Sequence, residues 1–260
     1  MYFYIYDSFL RAKQYQKTLE RIEVRLTDLG IQGKIQRLTI LHHQKEVIDE
    51  CVRRGAKTLV FVGNNRSIAQ AVDTLAKHDV AIGFIPMGDA RGNGIARTLG
   101  IPPEVLACDV LSRRTIARLD LGKIGAHFFL TSAEVTADTF LCKGPRNAFL
   151  IRPLVAHASL IVTNLEQKEL DDATPAKSNP RDGILELIIR DATRSLQETI
   201  GWRRATKKTP SVFPITELQI LEPEGAEVIL DGCRKVKLPV TVTICSKKLS
   251  MIVGRERRFA

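Results

Sequence analysis

Two short segments of this 260-residue chain carry residue types suited to holding phosphate. The first is Val62-Gly63-Asn64-Asn65-Arg66-Ser67, between an apolar run and a helical pattern. The second, Pro86-Met87-Gly88-Asp89-Ala90-Arg91-Gly92-Asn93-Gly94, is glycine-rich and again precedes a helical stretch, Ile95–Leu99. Turns of this kind aim backbone N–H groups and the positive end of a helix dipole at an anion. Gly63, Asn64, Asn65, Arg66 and Ser67 are therefore candidate phosphate ligands, as are Gly88, Arg91, Gly92 and Asn93. The same residues have a plainer use: Asn64 or Asn65 caps the helix, and the glycines make the turns.

The elements that would position them alternate between two periods. Tyr2–Tyr6 is a short apolar and aromatic run that reads as a strand. Lys13–Leu29 places Leu19, Ile22, Leu26 and Leu29 at helical spacing and ends at Gly30. Lys34–Leu41 reads as a strand and Gln44–Arg54 as a helix. Thr58–Val62 is a continuous apolar strand of the kind buried on both faces. Ser67–Lys77 is helical, and Val80–Pro86 is the next strand. Strands alternating with helices in this way indicate a parallel sheet with helices on both faces. In such a sheet, ligands bind beyond the carboxyl ends of the strands, and both glycine-bearing segments occupy such ends.

From about Ile116 the pattern changes to strands separated by turns. The strands read are Ile116–Leu121, His127–Thr131, Ala148–Leu150, Ser159–Thr163, Leu185–Ile189, Glu217–Leu221, Glu227–Leu230, Val240–Cys245 and Leu249–Val253. Asp182-Gly183, Pro223-Glu224 and Asp231-Gly232 punctuate them. The expected fold class is thus α/β, an N-terminal parallel sheet of residues 1–115 followed by an antiparallel β-sandwich of residues 116–260. Gln167–Pro180 reads as a polar surface connection.

Four segments, in order, resemble the diacylglycerol kinase family, which includes sphingosine-type and bacterial lipid kinases and is related in fold to NAD kinases. Arg54-Gly55-Ala56-Lys57-Thr58-Leu59-Val60-Phe61-Val62-Gly63 is similar to the approach to that family's G-G-D-G-T loop. Ile85-Pro86-Met87-Gly88, with Gly92-Asn93-Gly94-Ile95-Ala96-Arg97-Thr98-Leu99-Gly100-Ile101-Pro102, resembles its P-L-G-T-x-N-D-F-A-R-x-L-G-I-P segment. Asn179-Pro180-Arg181-Asp182-Gly183-Ile184-Leu185-Glu186-Leu187 resembles its P-x-D-G-x-L-D-V strand start. Glu227-Val228-Ile229-Leu230-Asp231-Gly232-Cys233, then Leu238-Pro239-Val240, resembles its D-G-E segment. The resemblance covers nearly the whole chain. It implies ATP lying across the two loops, Mg²⁺ as its partner, a lipid of diacylglycerol or sphingoid type, and Asp231 as the candidate base that takes a proton from the lipid hydroxyl.

The departures from that pattern are as specific. Asn64, Asn65 and Arg66 stand where the family has Gly, Asp and Gly, and an amide is a poor replacement for a carboxylate beside a hard cation. Asp89-Ala90-Arg91 lengthens the second loop, with Asp89 as a possible substitute metal ligand, and Gly94 replaces its Asp. Cys233 replaces the Glu of D-G-E. Tyr6-Asp7-Ser8 stands where the family has an N-P-x-S-G-type turn. Acidic positions lost and arginines gained make metal-dependent phosphoryl transfer harder to run. Two readings therefore stand side by side: an ATP-dependent lipid kinase, and a degenerate relative that holds an anion or a partner, with Arg66 as a cationic clamp.

Composition narrows the partners. The net charge of +10 suits nucleotide phosphates, an acidic membrane surface or nucleic acid, and it also suits a merely soluble surface. Nucleic-acid binding rests on charge alone, since no aromatic residues interleave with the basic ones. Trp202-Arg203-Arg204-Ala205-Thr206-Lys207-Lys208 is the candidate for peripheral contact with anionic lipid, or else a solvated hairpin. The five cysteines are scattered and the pair His42-His43 has no partner at ligand spacing, which argues against a disulfide framework and a zinc site. No run of eighteen apolar residues occurs, and the start lacks the basic region of a signal peptide, so the expected location is the cytoplasm.

Overall fold

The computed structural model describes residues 1–39, 43–137, 139–145, 148–151, 158–165, 178–190, 210–222 and 225–259. Contacts divide the chain into two compact units, Met1–Leu119 with Lys247–Ala260, and Asp120–Ser246. Residues 247–260, read from sequence with the second domain, thus return to the first.

In the first unit, β1 (Tyr2–Tyr6), β2 (Lys34–Arg37), β3 (Thr58–Gly63) and β4 (Ala81–Pro86) form a parallel sheet in the order β2-β1-β3-β4. Every residue of β3 and β4 is buried, as a strand covered on both faces must be. The covering helices are α1 (Lys13–Asp28), α2 (Gln44–Arg53), α3 (Asn65–Ala69), α4 (Val72–Leu75), α5 (Gly94–Thr98) and α6 (Ala107–Arg113). Helix α1 buries Leu19, Ile22 and Leu26 and packs against α6, while α2 packs against α4. The helix read over Ser67–Lys77 is broken: α3 ends at Ala69 and α4 starts at Val72. The chain's last segment adds Ser250 and Met251 in parallel beside Ala81 and Ile82 of β4.

The second unit is antiparallel. After β5 (Ile116–Ile124) and β6 (His127–Phe129) come β7 (Ser132–Ala137), β8 (Thr139–Lys143), β9 (Ala148–Ile151), β10 (Ala158–Thr163), β11 (Leu185–Arg190), β12 (Ser211–Ile215), β13 (Glu217–Glu222), β14 (Glu227–Leu230), β15 (Arg234–Lys237) and β16 (Val240–Ile252). One layer runs β12-β11-β10-β7-β14-β15; the other pairs β16 with β13, β13 with β8, and β8 with β9. Val135, Leu160, Leu187 and Leu230 of the first layer share one core with Phe140, Leu218, Ile220 and Val242 of the second. Two antiparallel layers over one apolar core make a β-sandwich. The fold class is therefore the one expected, an α/β unit followed by an antiparallel sandwich. Among the described residues, no helix is long and apolar enough to cross a membrane. The Trp202–Lys208 segment lies outside the described residues.

Candidate functional site

Both candidate loops follow buried parallel strands of the first unit. The first leaves β3 at Gly63, where a Cβ would lie 2.2 Å from the Ser67 hydroxyl oxygen, so any larger residue would displace Ser67. Asn64 then caps α3. Its side chain accepts from the Arg66 amide at 3.0 Å, and its carbonyl accepts from the Ser67 amide at 3.0 Å. Its own amide donates to the Ser67 hydroxyl at 3.1 Å, which closes a capping box. Ser67, 2% exposed, donates in turn to Asp7 Oδ2 at 2.6 Å. The amides that a phosphate-binding turn offers its anion are thus, at Asn64, Arg66 and Ser67, taken by the loop's own oxygens. Capping, the plainer of the two uses read from the sequence, is present at Asn64.

Asn65 does something else. Its Oδ1 accepts from the Ile95 amide at 3.0 Å, so it caps α5, the helix that follows the second loop. The two loops are joined at a further point, where the Met87 amide donates to the Gly63 carbonyl at 2.6 Å. Arg66 is exposed.

The second loop is shaped by Asn93, 5% exposed, whose Nδ2 donates to the carbonyls of Met87 at 3.1 Å and Asp89 at 3.0 Å. The additional Asp89-Ala90-Arg91 forms a 3-10 turn over Ala90–Asn93. Asp89 accepts from the Arg91 amide at 3.2 Å and lies 3.4 Å from its guanidinium. Gly88 has φ +85°, a conformation that favours glycine. Among the described residues, the amides of Gly88, Asp89 and Ala90 find no acceptor, and all three residues are exposed. This is a short row of backbone donors open to solvent. The Arg97 guanidinium donates to the Ala90 carbonyl.

The oxygen-bearing side chains nearest the loops already have protein partners. Asp89 is engaged with its own turn and with Arg91, the Asn65 oxygen is taken by Ile95, and Asp7 receives Ser67. Among the described residues, no three His, Cys, Asp or Glu side chains are grouped to hold a metal ion.

In the second unit Asp231 is enclosed, its side chain 0% exposed. One oxygen accepts from the amides of Thr131 at 2.7 Å and Ser132 at 3.2 Å, and from the Thr131 hydroxyl at 2.7 Å. The other accepts from the Leu130 amide at 3.0 Å and lies 3.8 Å from the Arg234 guanidinium. Burial pushes the carboxyl up from its ordinary value, against the opposing pull of the Leu130 and Thr131 donors and of Arg234. In this arrangement both oxygens tie the β6–β7 turn to the β14–β15 hairpin.

Sequence reading passed over Asp7 except as a departure from a motif, and gave Tyr15 no role. The signal for Asp7 was its place directly after a strand of a parallel sheet.

Residues 3–124 match the family model described as the diacylglycerol kinase catalytic domain. Proteins named "Probable lipid kinase YegS-like" from two strains of Pseudomonas aeruginosa are each 30% identical over 103 residues, 36% of this chain. That match spans about a third of the length of these relatives, 33%. A solved structure of a diacylglycerol kinase from Bacillus anthracis superposes with a TM-score of 0.75 at 16% identity, covering 98% of this chain and 97% of that one. A second structure from the same organism gives a TM-score of 0.76 at the same identity and coverage, and at this identity the likeness is one of fold. The first unit is thus similar to a diacylglycerol kinase catalytic domain over residues 3–124, and the chain shares the fold of these solved structures.

Proposed function

We propose that this protein binds a nucleoside polyphosphate, ATP in the first instance, without depending on Mg²⁺, and that it transfers phosphate to lipid weakly or not at all. The observation that carries the reading is the capping box on the first loop. Asn64 and Ser67 consume amides that would otherwise meet phosphate, leaving the Gly88–Ala90 amides and the exposed Arg66 and Arg91 as donors. Charge-assisted contacts from guanidinium groups then do the work that a metal ion does elsewhere.

The test is calorimetry with ATP, in EDTA and in Mg²⁺. The expected result is weak binding that persists in EDTA, weakens as salt rises, and falls about tenfold on Arg66→Ala, the loss of one charge-assisted hydrogen bond. Binding seen only with Mg²⁺ would overturn the metal-independent reading.

The family match favours a second reading, an ATP-dependent kinase acting on a lipid hydroxyl of diacylglycerol or sphingoid type. In it Asp231 serves as base, which requires its hydrogen-bond network to open toward the hydroxyl. Mg²⁺-dependent turnover on such a lipid, abolished by Asp231→Asn with nucleotide affinity kept, is the result that would establish it. Peripheral contact with anionic membrane belongs to this reading, and sedimentation with acidic and neutral vesicles tests it.

A further inference from the structure

The segment directly after β1 reaches both loops. Asp7 meets the first loop through Ser67, and Tyr15, in the first turn of α1, approaches Gly88 of the second. The Tyr15 ring stands edge-on to Phe9, with centroids 5.4 Å apart and planes at 76°, so its direction is fixed by packing. Its hydroxyl lies 3.7 Å from the point where a Cβ on Gly88 would sit, and no other heavy atom beyond the chain neighbours comes within 4 Å of that point. The hydroxyl has no hydrogen-bond partner among the described residues. A half-buried phenol thus leaves its donor over the glycine that begins the row of open amides, and the missing side chain at position 88 keeps the space between them clear.

We propose that Tyr15 is a phosphate-binding residue of this site, its hydroxyl donating to the same anion that the Gly88–Ala90 amides receive. The assignment rests on the polyphosphate reading above and adds a donor from outside both glycine-bearing loops. It also gives the position a chemical requirement: an aromatic ring for placement and a hydroxyl for contact.

Tyr15→Phe separates the two, because it keeps the ring against Phe9 and removes only the oxygen. Titration of wild type and Tyr15→Phe with ATP, inorganic tripolyphosphate and adenosine, in EDTA at low salt, is the measurement. The expected result is about tenfold weaker binding of both ATP and tripolyphosphate by the variant, the worth of one hydrogen bond to a charged group, with an unchanged melting temperature. Equal affinities in wild type and variant would overturn the assignment while leaving the polyphosphate reading intact. A loss confined to ATP would overturn it as well, by moving the contact to the ribose or the base. If wild type bound neither ATP nor tripolyphosphate, the polyphosphate reading would fail and the assignment with it.

Discussion

Asn65 Oδ1 accepts a hydrogen bond from the backbone amide of Ile95, 30 residues further along the chain, at 3.0 Å. One side chain in the first loop therefore caps the helix that leaves the second. An amide oxygen of the first loop thus holds the two loops in register.

That bond makes a clear prediction. Asn65→Ala leaves the Ile95 amide without its acceptor and should lower stability by about 1 kcal/mol, the usual worth of a helix cap. Asn65→Asp keeps an oxygen in place and should remain near wild type. Chemical denaturation of the three proteins decides; equal loss in both variants would show that the cap is not what Asn65 contributes.

Asp231 should matter for folding. Its enclosed carboxylate satisfies three amides and a hydroxyl, so Asp231→Ala strands four donors at once. The expected loss is about 3 kcal/mol or more, the scale for removing one side of a buried charged network. A urea midpoint within error of wild type would refute the structural role.

The return of the chain's end to the first unit can be probed at Gly254. A Cβ there would lie 1.7 Å from the carbonyl oxygen of Gly100, which is backbone and cannot swing away. Gly254→Ala should therefore cost about 2 kcal/mol, in the range of overpacked interiors. Substitution at Gly225, where a Cβ meets nothing within 4 Å but φ is +81°, is the control for backbone strain without collision.

Buried thiols set an alkaline limit. Burial pushes Cys51 and Cys108 up to about 11 and Cys142 to about 12. Groups raised on folding hold their protons longer in the native state than in the unfolded chain. Their stabilisation is complete below the ordinary thiol value of 9.0 and is lost as pH rises from there toward 11 and 12. Tyr4 and Tyr6, likewise pushed up by burial, act in the same direction. Melting temperature should fall steadily above pH 9, and thiol reagent at pH 8 should reach the half-exposed Cys233 and Cys245 well before the buried three. Rapid modification of all five in the native protein would contradict this.

The sequence alone determined the strands β1, β3 and β4, the helices α1 and α2, the switch to antiparallel strands near Ile116 and the location of both loops. Those features depend on hydrophobic period and on glycine and asparagine at turns, which are local and repeat within a few residues. The same method missed β15, Arg234-Lys235-Val236-Lys237, because an edge strand whose exposed positions are charged carries little apolar signal. It also split β16 at Ser246-Lys247-Lys248, where three exposed polar residues interrupt one continuous strand. What each loop residue does was decided only by tertiary structure. Ser67 meets Asp7 across 60 positions, and Asp231 meets the Leu130–Ser132 turn across about 100. Residue type limits what a side chain can donate or accept, but the fold chooses the partner. An asparagine in a turn caps its own helix or the neighbouring one according to which amide the packing brings within 3 Å, and no periodicity in the chain records that choice.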